Sequence, residues 1–218
     1  MIRNAIASLW PALISLLLFL SPAASASSLT MSLDRDTLVV SGVTPGGKAV
    51  FFGVQKFASS RGHFDTSRRY STIEQDGDGD GVVRYAPEGG VTPSAVWSAT
   101  DFSTGALVTF VPAGLRAPIP LPGRGVHPGV AGVLNQLSTS LRLIEVVIIR
   151  PDKGVWIYTA GEGGRNDAGP GSDGKIDVTA DRFSPLIGGE RLGHFLPRDV
   201  LVVIDVPTMR YHTSQVNE

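Results

Sequence analysis

From Leu29 onward, apolar and polar residues alternate in short runs separated by clusters of Gly, Pro, Asp and Ser, and no stretch holds a 3.6-residue period for more than about three turns. That pattern predicts an all-β chain. Leu38-Val39-Val40, the turn Thr44-Pro45-Gly46-Gly47 and the apolar run Ala49 to Val54 predict a hairpin. Arg69 to Glu74 and Val82 to Tyr85 predict two antiparallel strands that flank an acidic loop. Ser94 to Thr100 and Ala106 to Val111 predict a second hairpin, joined by Asp101-Phe102-Ser103-Thr104-Gly105. Further on, Leu141 to Ile149 reads as a buried strand, and Val155 to Tyr158 follows it after a Pro-Asp-Lys-Gly turn. Val200 to Val206 and Arg210 to Gln215 complete the set.

The second half repeats the order of the first. Leu141 to Ile149 parallels Lys48 to Val54, and a Gly/Asp-rich loop, Glu162 to Asp173, precedes Gly174 to Val178 as the first acidic loop precedes Gly81 to Tyr85. Val200 to Thr208 parallels Ala95 to Thr104: each is an apolar strand ending at an Asp that opens a turn. This predicts a degenerate duplication. Between the halves, Pro112 to Gly129 carries five prolines, which cannot donate ladder hydrogen bonds, so it reads as a linker or crossing loop. Val130, Val133, Leu134 and Leu137 mark a short helix candidate over Val130 to Ser140. The expected organisation is 1–26 leader, 27–112 first repeat, 113–138 linker and helix, and 139–218 second repeat.

The leader assignment rests on Arg3, the apolar run Leu9 to Leu20, and Pro22 before Ala24-Ser25-Ala26, small residues at the spacing a signal peptidase accepts. Cleavage is expected after Ala26, giving a secreted or periplasmic protein. The apolar run is too short to span a bilayer, which takes roughly 20 residues, and no later run is a membrane-span candidate. About 190 residues remain, enough for one core or two small ones. Losing Arg3 moves the formal net charge from −1 to −2, which offers no footprint for nucleic acid or an anionic membrane. With no cysteine, stability must come from a packed core, aided by metal if any binds.

Asp76-Gly77-Asp78-Gly79-Asp80-Gly81 is the one segment whose residue types and spacing define a chemistry. Carboxylates at i, i+2 and i+4 can fold their oxygens around one hard cation, and Ca²⁺ takes about six to eight such ligands. These six residues resemble the DxDxDG signature shared by EF-hands, dockerins and the calcium loops of integrin-type propellers. The pattern departs from the EF-hand at loop position 12, where Pro87 stands and Glu88 comes one residue late, and the flanks read as strands. The expectation is a calcium-loaded hairpin tip with Asp76, Asp78 and Asp80 as ligands, completed by the Val82 carbonyl and Glu88. Asp167, Asp173 and Asp177, at irregular spacing near Glu162 and Asn166, form a second, decayed candidate.

Other chemistries leave no local signature. Gly171-Ser172-Asp173-Gly174 has Pro170 where a nucleophile elbow needs its first glycine. His63, His127, His194 and His212 are scattered without zinc spacing, and Gly161-Glu162-Gly163-Gly164 is not followed by a helix pattern. Trp97 and Trp156, with Tyr70, Tyr85, Tyr158 and Tyr211, read as packing residues that could alternatively form a sugar-stacking face. The Thr-Pro-Gly-Gly turn and the strand-Asp-turn-strand endings are similar to features of bacterial secreted immunoglobulin-like β-sandwich modules. That resemblance implies an immunoglobulin-like sandwich, as two small sandwiches or as one built from both halves, and carries no catalytic residue across. The expected function is a non-enzymatic, calcium-stabilised module that is structural or binds a ligand, with a cell-surface protein or polysaccharide as the kind of partner. The alternative is a secreted hydrolase or carbohydrate-active protein with a loop-borne His/Asp site.

Overall fold

The computed structural model describes residues 28–58, 64–112, 143–161, 183–187 and 190–215. The leader, most of the Pro-rich segment, the helix candidate and the second acidic loop, with Asp167, Asp173 and Asp177, lie outside these residues. Within them the chain is all-β, and every strand pairing is antiparallel. No helix among the described residues is long and apolar enough to cross a membrane.

The strands are β1 (Thr30–Asp34), β2 (Thr37–Ser41), β3 (Lys48–Ala58), β4 (Phe64–Gln75), β5 (Val82–Tyr85), β6 (Ala95–Asp101), β7 (Leu107–Phe110), β8 (Leu143–Arg150), β9 (Gly154–Gly161), β10 (Ser184–Ile187), β11 (Val200–Asp205) and β12 (Arg210–Gln215). They form a small sheet in the order β1-β2-β5, a middle sheet in the order β4-β3-β6-β7 and a large sheet in the order β10-β9-β8-β11-β12.

The middle sheet is apolar on both faces because successive side chains of a strand point to opposite sides. Val50, Phe52, Val54 and Val96 face the large sheet and join a core with Val147, Ile149, Val155, Val200, Val202 and Ile204. Ala49, Phe51, Ala95, Trp97 and Ala99 face the small sheet and pack with Leu38, Val40 and Val83. All seven residues of β6 are buried for this reason. The near-continuous apolar runs in β3 and β6 are the sequence counterpart of burial on two faces.

Two expected hairpins are crossovers instead. β2 pairs with β1 and β5, whereas β3 pairs with β4 and β6, so residues 44–47 carry the chain from the small sheet to the middle one. Likewise β4 belongs to the middle sheet and β5 to the small one, so the acidic loop bridges two sheets rather than capping a hairpin. Both turns carry the Gly and Pro chemistry of hairpin turns, and that chemistry does not specify which sheet the next strand joins. The β6–β7, β8–β9 and β11–β12 hairpins form as the pattern predicts.

The middle and large sheets share a local plan. In the order β4-β3-β6-β7, β3 and β6 are central, and in the run β9-β8-β11-β12 so are β8 and β11. Asp101 ends β6 opposite Ala49, and Asp205 ends β11 opposite Ile144. The next residue donates in both cases to the residue before that partner: Phe102 N to Lys48 O at 2.9 Å and Val206 N to Leu143 O at 3.0 Å. Each turn then closes four residues after the Asp, through Gly105 N to Asp101 O and Met209 N to Asp205 O. Gly105 and Met209 both have positive φ, 74° and 56°.

Candidate cation site at a junction of two sheets

The two crossovers lie side by side. Gly42 N and Val43 N donate to Gly81 O, and Asp76 N donates to Gly47 O at 2.9 Å. The Asp76 side chain, 2% exposed, completes the junction. Its Oδ2 accepts from Gly46 N at 2.8 Å and Gly81 N at 2.9 Å, and its Oδ1 accepts from Gly79 N at 3.1 Å. The glycines permit this fold, since Gly79 and Gly81 take φ of 76° and 78°, a region most side chains avoid. The Gly46 hydrogen bond, with those from Gly81, Asp78 and Gly79, outweighs burial and holds the Asp76 carboxyl below its ordinary value. Asp76 is therefore ionised at neutral pH and forms the buried floor of the loop.

Asp78 and Asp80 stand on its exposed rim. Asp80 N donates to Asp78 Oδ1 at 3.4 Å, and Val82 N donates to Asp80 Oδ1 at 2.8 Å. One oxygen from each of Asp76, Asp78 and Asp80 lies within 4.8 Å of the other two. Carboxylates about 4 Å apart repel by roughly 1 kcal/mol per pair even at the dielectric of water, and a divalent ion reverses that sign. The donor set is oxygen only, which suits Ca²⁺ or Mg²⁺ over softer metals. On Asp76, Oδ2 already accepts two hydrogen bonds, which leaves one lone-pair direction on Oδ1 for a cation.

Of the other expected ligands, Val82 adjoins the cluster through its N–H. Glu88 does not join the three carboxylates: it lies beyond β5, whose four residues span roughly 13 Å, and its carbonyl accepts from Tyr70 Oη at 3.0 Å.

A third turn meets the same end of the molecule. Asp101 Oδ2 accepts from Thr44 N at 2.8 Å and Thr44 Oγ1 at 2.7 Å, and its Oδ1 accepts from Ser103 N at 2.8 Å. Burial pushes this carboxyl up, but the hydrogen bonds from Thr44, Ser103 and Thr104 outweigh it and hold the group below its ordinary value. The sequence singled out Asp101 only as a turn opener. Its grip on Thr44, 57 positions away, leaves no local signal.

Among the described histidines, His194 is exposed and its carbonyl accepts from Arg150, while His212 is buried on β12 opposite Val203. His63 and His127 lie outside the described residues. Trp97 is a core residue and the partly buried Tyr85 packs against it, with ring centroids 5.8 Å apart. Glu145, a lone charge in the apolar run Leu143 to Ile149, meets Arg69 across the two sheets, a contact with no local signal in the sequence.

No family model, curated protein or solved structure matches the chain.

Proposed function

We propose that the protein is a non-enzymatic secreted or periplasmic β-sandwich, structural or ligand-binding, in which a divalent cation, Ca²⁺ by its ligand class, clamps the junction between the small and middle sheets. The convergence of Asp76, Asp78 and Asp80 within 4.8 Å carries this reading, because it places three hard oxygen donors on a loop already pinned to the neighbouring crossover. Export follows from the leader pattern of residues 1–26. Calorimetric titration of Ca²⁺ into the wild type and into Asp78→Ala tests the clamp. Binding at about 10⁻⁴ to 10⁻³ M, the range of extracellular modules, is expected for the wild type and is lost in the variant. A wild type that gives no binding isotherm up to several times that concentration overturns it.

The reading extends to the architecture: β4-β3-β6-β7 and β9-β8-β11-β12 are two copies of one four-stranded unit, packed face to face. Four features support it: the shared strand order, the shared register at Asp101 and Asp205, the matching bonds Phe102 N to Lys48 O and Val206 N to Leu143 O, and the positive φ at Gly105 and Met209. Interleaved placement of β1, β2 and β5 then makes the small sheet an addition to the first copy.

A further inference from the structure

Among the described residues, one ion pair crosses between the middle and large sheets. Arg69 Nη1 of β4 donates to Glu145 Oε2 of β8 at 3.0 Å and to Thr159 Oγ1 of β9 at 2.6 Å, and Thr159 Oγ1 donates to the same Oε2 at 2.6 Å. The Glu145 side chain is 10% exposed and that of Arg69 32%.

The following step rests on the two-copy reading. In that correspondence Lys48 matches Leu143, so Val50 matches Glu145 and Val54 matches Ile149. Arg69 pairs with Val54 as Val155 pairs with Ile149, and Ile73 pairs with Val50 as Thr159 pairs with Glu145. The mates of Arg69, Glu145 and Thr159 are therefore Val155, Val50 and Ile73. Val50 and Val155 belong to the shared core and Ile73 packs against it. In the two-copy correspondence the positions of the ion pair and its hydroxyl recur as three aliphatic side chains of the shared core.

A two-fold contact between like units is isologous, so each face could also pair with its own copy on another molecule. Middle sheet against middle sheet would set each Arg69 against a Val50, and large sheet against large sheet would set each Glu145 against a Val155. The second buries Glu145 without its partner, which is strongly unfavourable, and the first sets the part-exposed Arg69 against an aliphatic side chain with no carboxylate to meet it. Middle against large pairs Arg69 with Glu145 and Thr159. We infer that Arg69, Glu145 and Thr159 select the partner of this interface, directing the middle sheet onto the large sheet and rejecting a second copy of either face.

Complementary charge reversals test this in the full chain. Glu145→Arg leaves two arginines in its own interface and Arg69→Glu leaves two glutamates, so each variant alone is expected to melt below the wild type or to misfold. Refolded together, the two chains have matching faces only between molecules: Arg69 of one meets Glu145 of the other, and the introduced Glu meets the introduced Arg. Length alone permits the exchange, because the 30 residues from 113 to 142 could reach about 100 Å. The expected product is a one-to-one complex of twice the mass of either chain by light scattering, absent from either variant refolded alone, and the double variant R69E/E145R is a monomer. A mixture that yields no such complex, or single variants that melt with the wild type, overturns the assignment.

Grafting separates it from the two-copy reading. In the R69V/E145V background, V50E/V155R should melt above V50E or V155R alone. Failure of the graft with success of the mixture would refute the correspondence of the two units and leave the selection by Arg69 and Glu145 intact.

Discussion

Asp101 and Asp205 end the central strands β6 and β11 at corresponding registers, yet their surroundings push their carboxyls in opposite directions from the ordinary value. Asp101 is held below its ordinary value because the hydrogen bonds from Thr44, Ser103 and Thr104 prevail over burial. At Asp205, burial prevails over the Thr208 hydrogen bonds and the charges of Lys56 and Arg210 and pushes the carboxyl up. Asp205 Oδ2 accepts from Thr208 Oγ1, while Oδ1 is buried without a hydrogen-bond partner.

A pH profile of the melting temperature follows. Groups with raised values, Asp205 and Glu145, contribute fully below their unfolded values of 3.8 and 4.5 and lose that contribution as pH rises through their folded values. Groups with lowered values, Asp76 and Asp101, contribute fully above 3.8 and lose it as pH falls through their folded values. These four place the maximum on the acid side of neutrality. Asp205→Asn should raise the melting temperature at pH 7 more than at pH 4, and Asp101→Asn should lower it at pH 7. Equal effects of Asp205→Asn at both values would show that its carboxyl is not raised.

Metal and loop structure separate by residue. Asp76→Asn should destabilise the protein in the presence of a chelator, because Gly46, Gly79 and Gly81 donate to its carboxylate. Asp78→Asn, on the exposed rim, should leave the metal-free melting curve in place or raise it slightly through relief of repulsion. In the wild type, calcium at 100 times its dissociation constant should add about 2.7 kcal/mol. Differential scanning with EDTA and with calcium checks all three, and a calcium shift retained in Asp78→Asn would place the ion elsewhere.

Gly53 faces Trp97 across β3 and β6, and a methyl group at Gly53 would stand 2.3 Å from Trp97 Cε3. Trp97 is fully buried and packed against Tyr70 and Tyr85, so it has no room to withdraw. Gly53→Ala should cost about 2–3 kcal/mol, as overpacked cores do. Urea unfolding followed by circular dichroism measures this, and a loss below about 0.5 kcal/mol would mean the layers can separate locally at little cost.

Arg150 binds Asp199 through two nitrogens, at 2.8 and 2.9 Å, and lies over the Trp156 ring at 5.3 Å. Asp199 is fully buried and also accepts from Leu196 N. Removing one partner of such a pair leaves a charge unpaired, so Asp199→Ala should cost about 3 kcal/mol or more. Replacing both, as Arg150→Met with Asp199→Leu, should cost less than the sum of the single changes, as a double-mutant cycle by chemical denaturation would show.

The strands were legible where alternation and turn chemistry agreed, as in β6–β7, β8–β9 and β11–β12. Burial of β3 and β6 on two faces was legible too, in runs such as Ala49-Val50-Phe51-Phe52 that are apolar at both parities. Two edge strands were not: the alternation of Met31 and Leu33 in β1 is short and mostly exposed, and β10 contains Pro185. The assignment of strands to sheets was hidden because residues 44–47 and 76–81 look alike whether they close a hairpin or change layers. At the candidate site the three carboxylates were readable from six consecutive residues. Their anchors Gly46 and Gly47 were not, because that contact spans 30 positions and depends on the fold. The same holds for Arg69 and Glu145, whose meeting requires knowing which sheets face each other.

Burial of Trp97 between the small and middle sheets gives the molecule an optical reporter. Trp156 sits in the large sheet, with Nε1 donating to Glu190 O at 2.8 Å, and the remaining tryptophan, Trp10, falls within residues 1–26, the proposed leader. In a chain shortened to begin at Ser27, indole emission comes from two places only. Variants with Phe at one of them would let fluorescence time separately the wetting of the layer that holds the acidic loop and the loosening of the sheet on the other side of the stack.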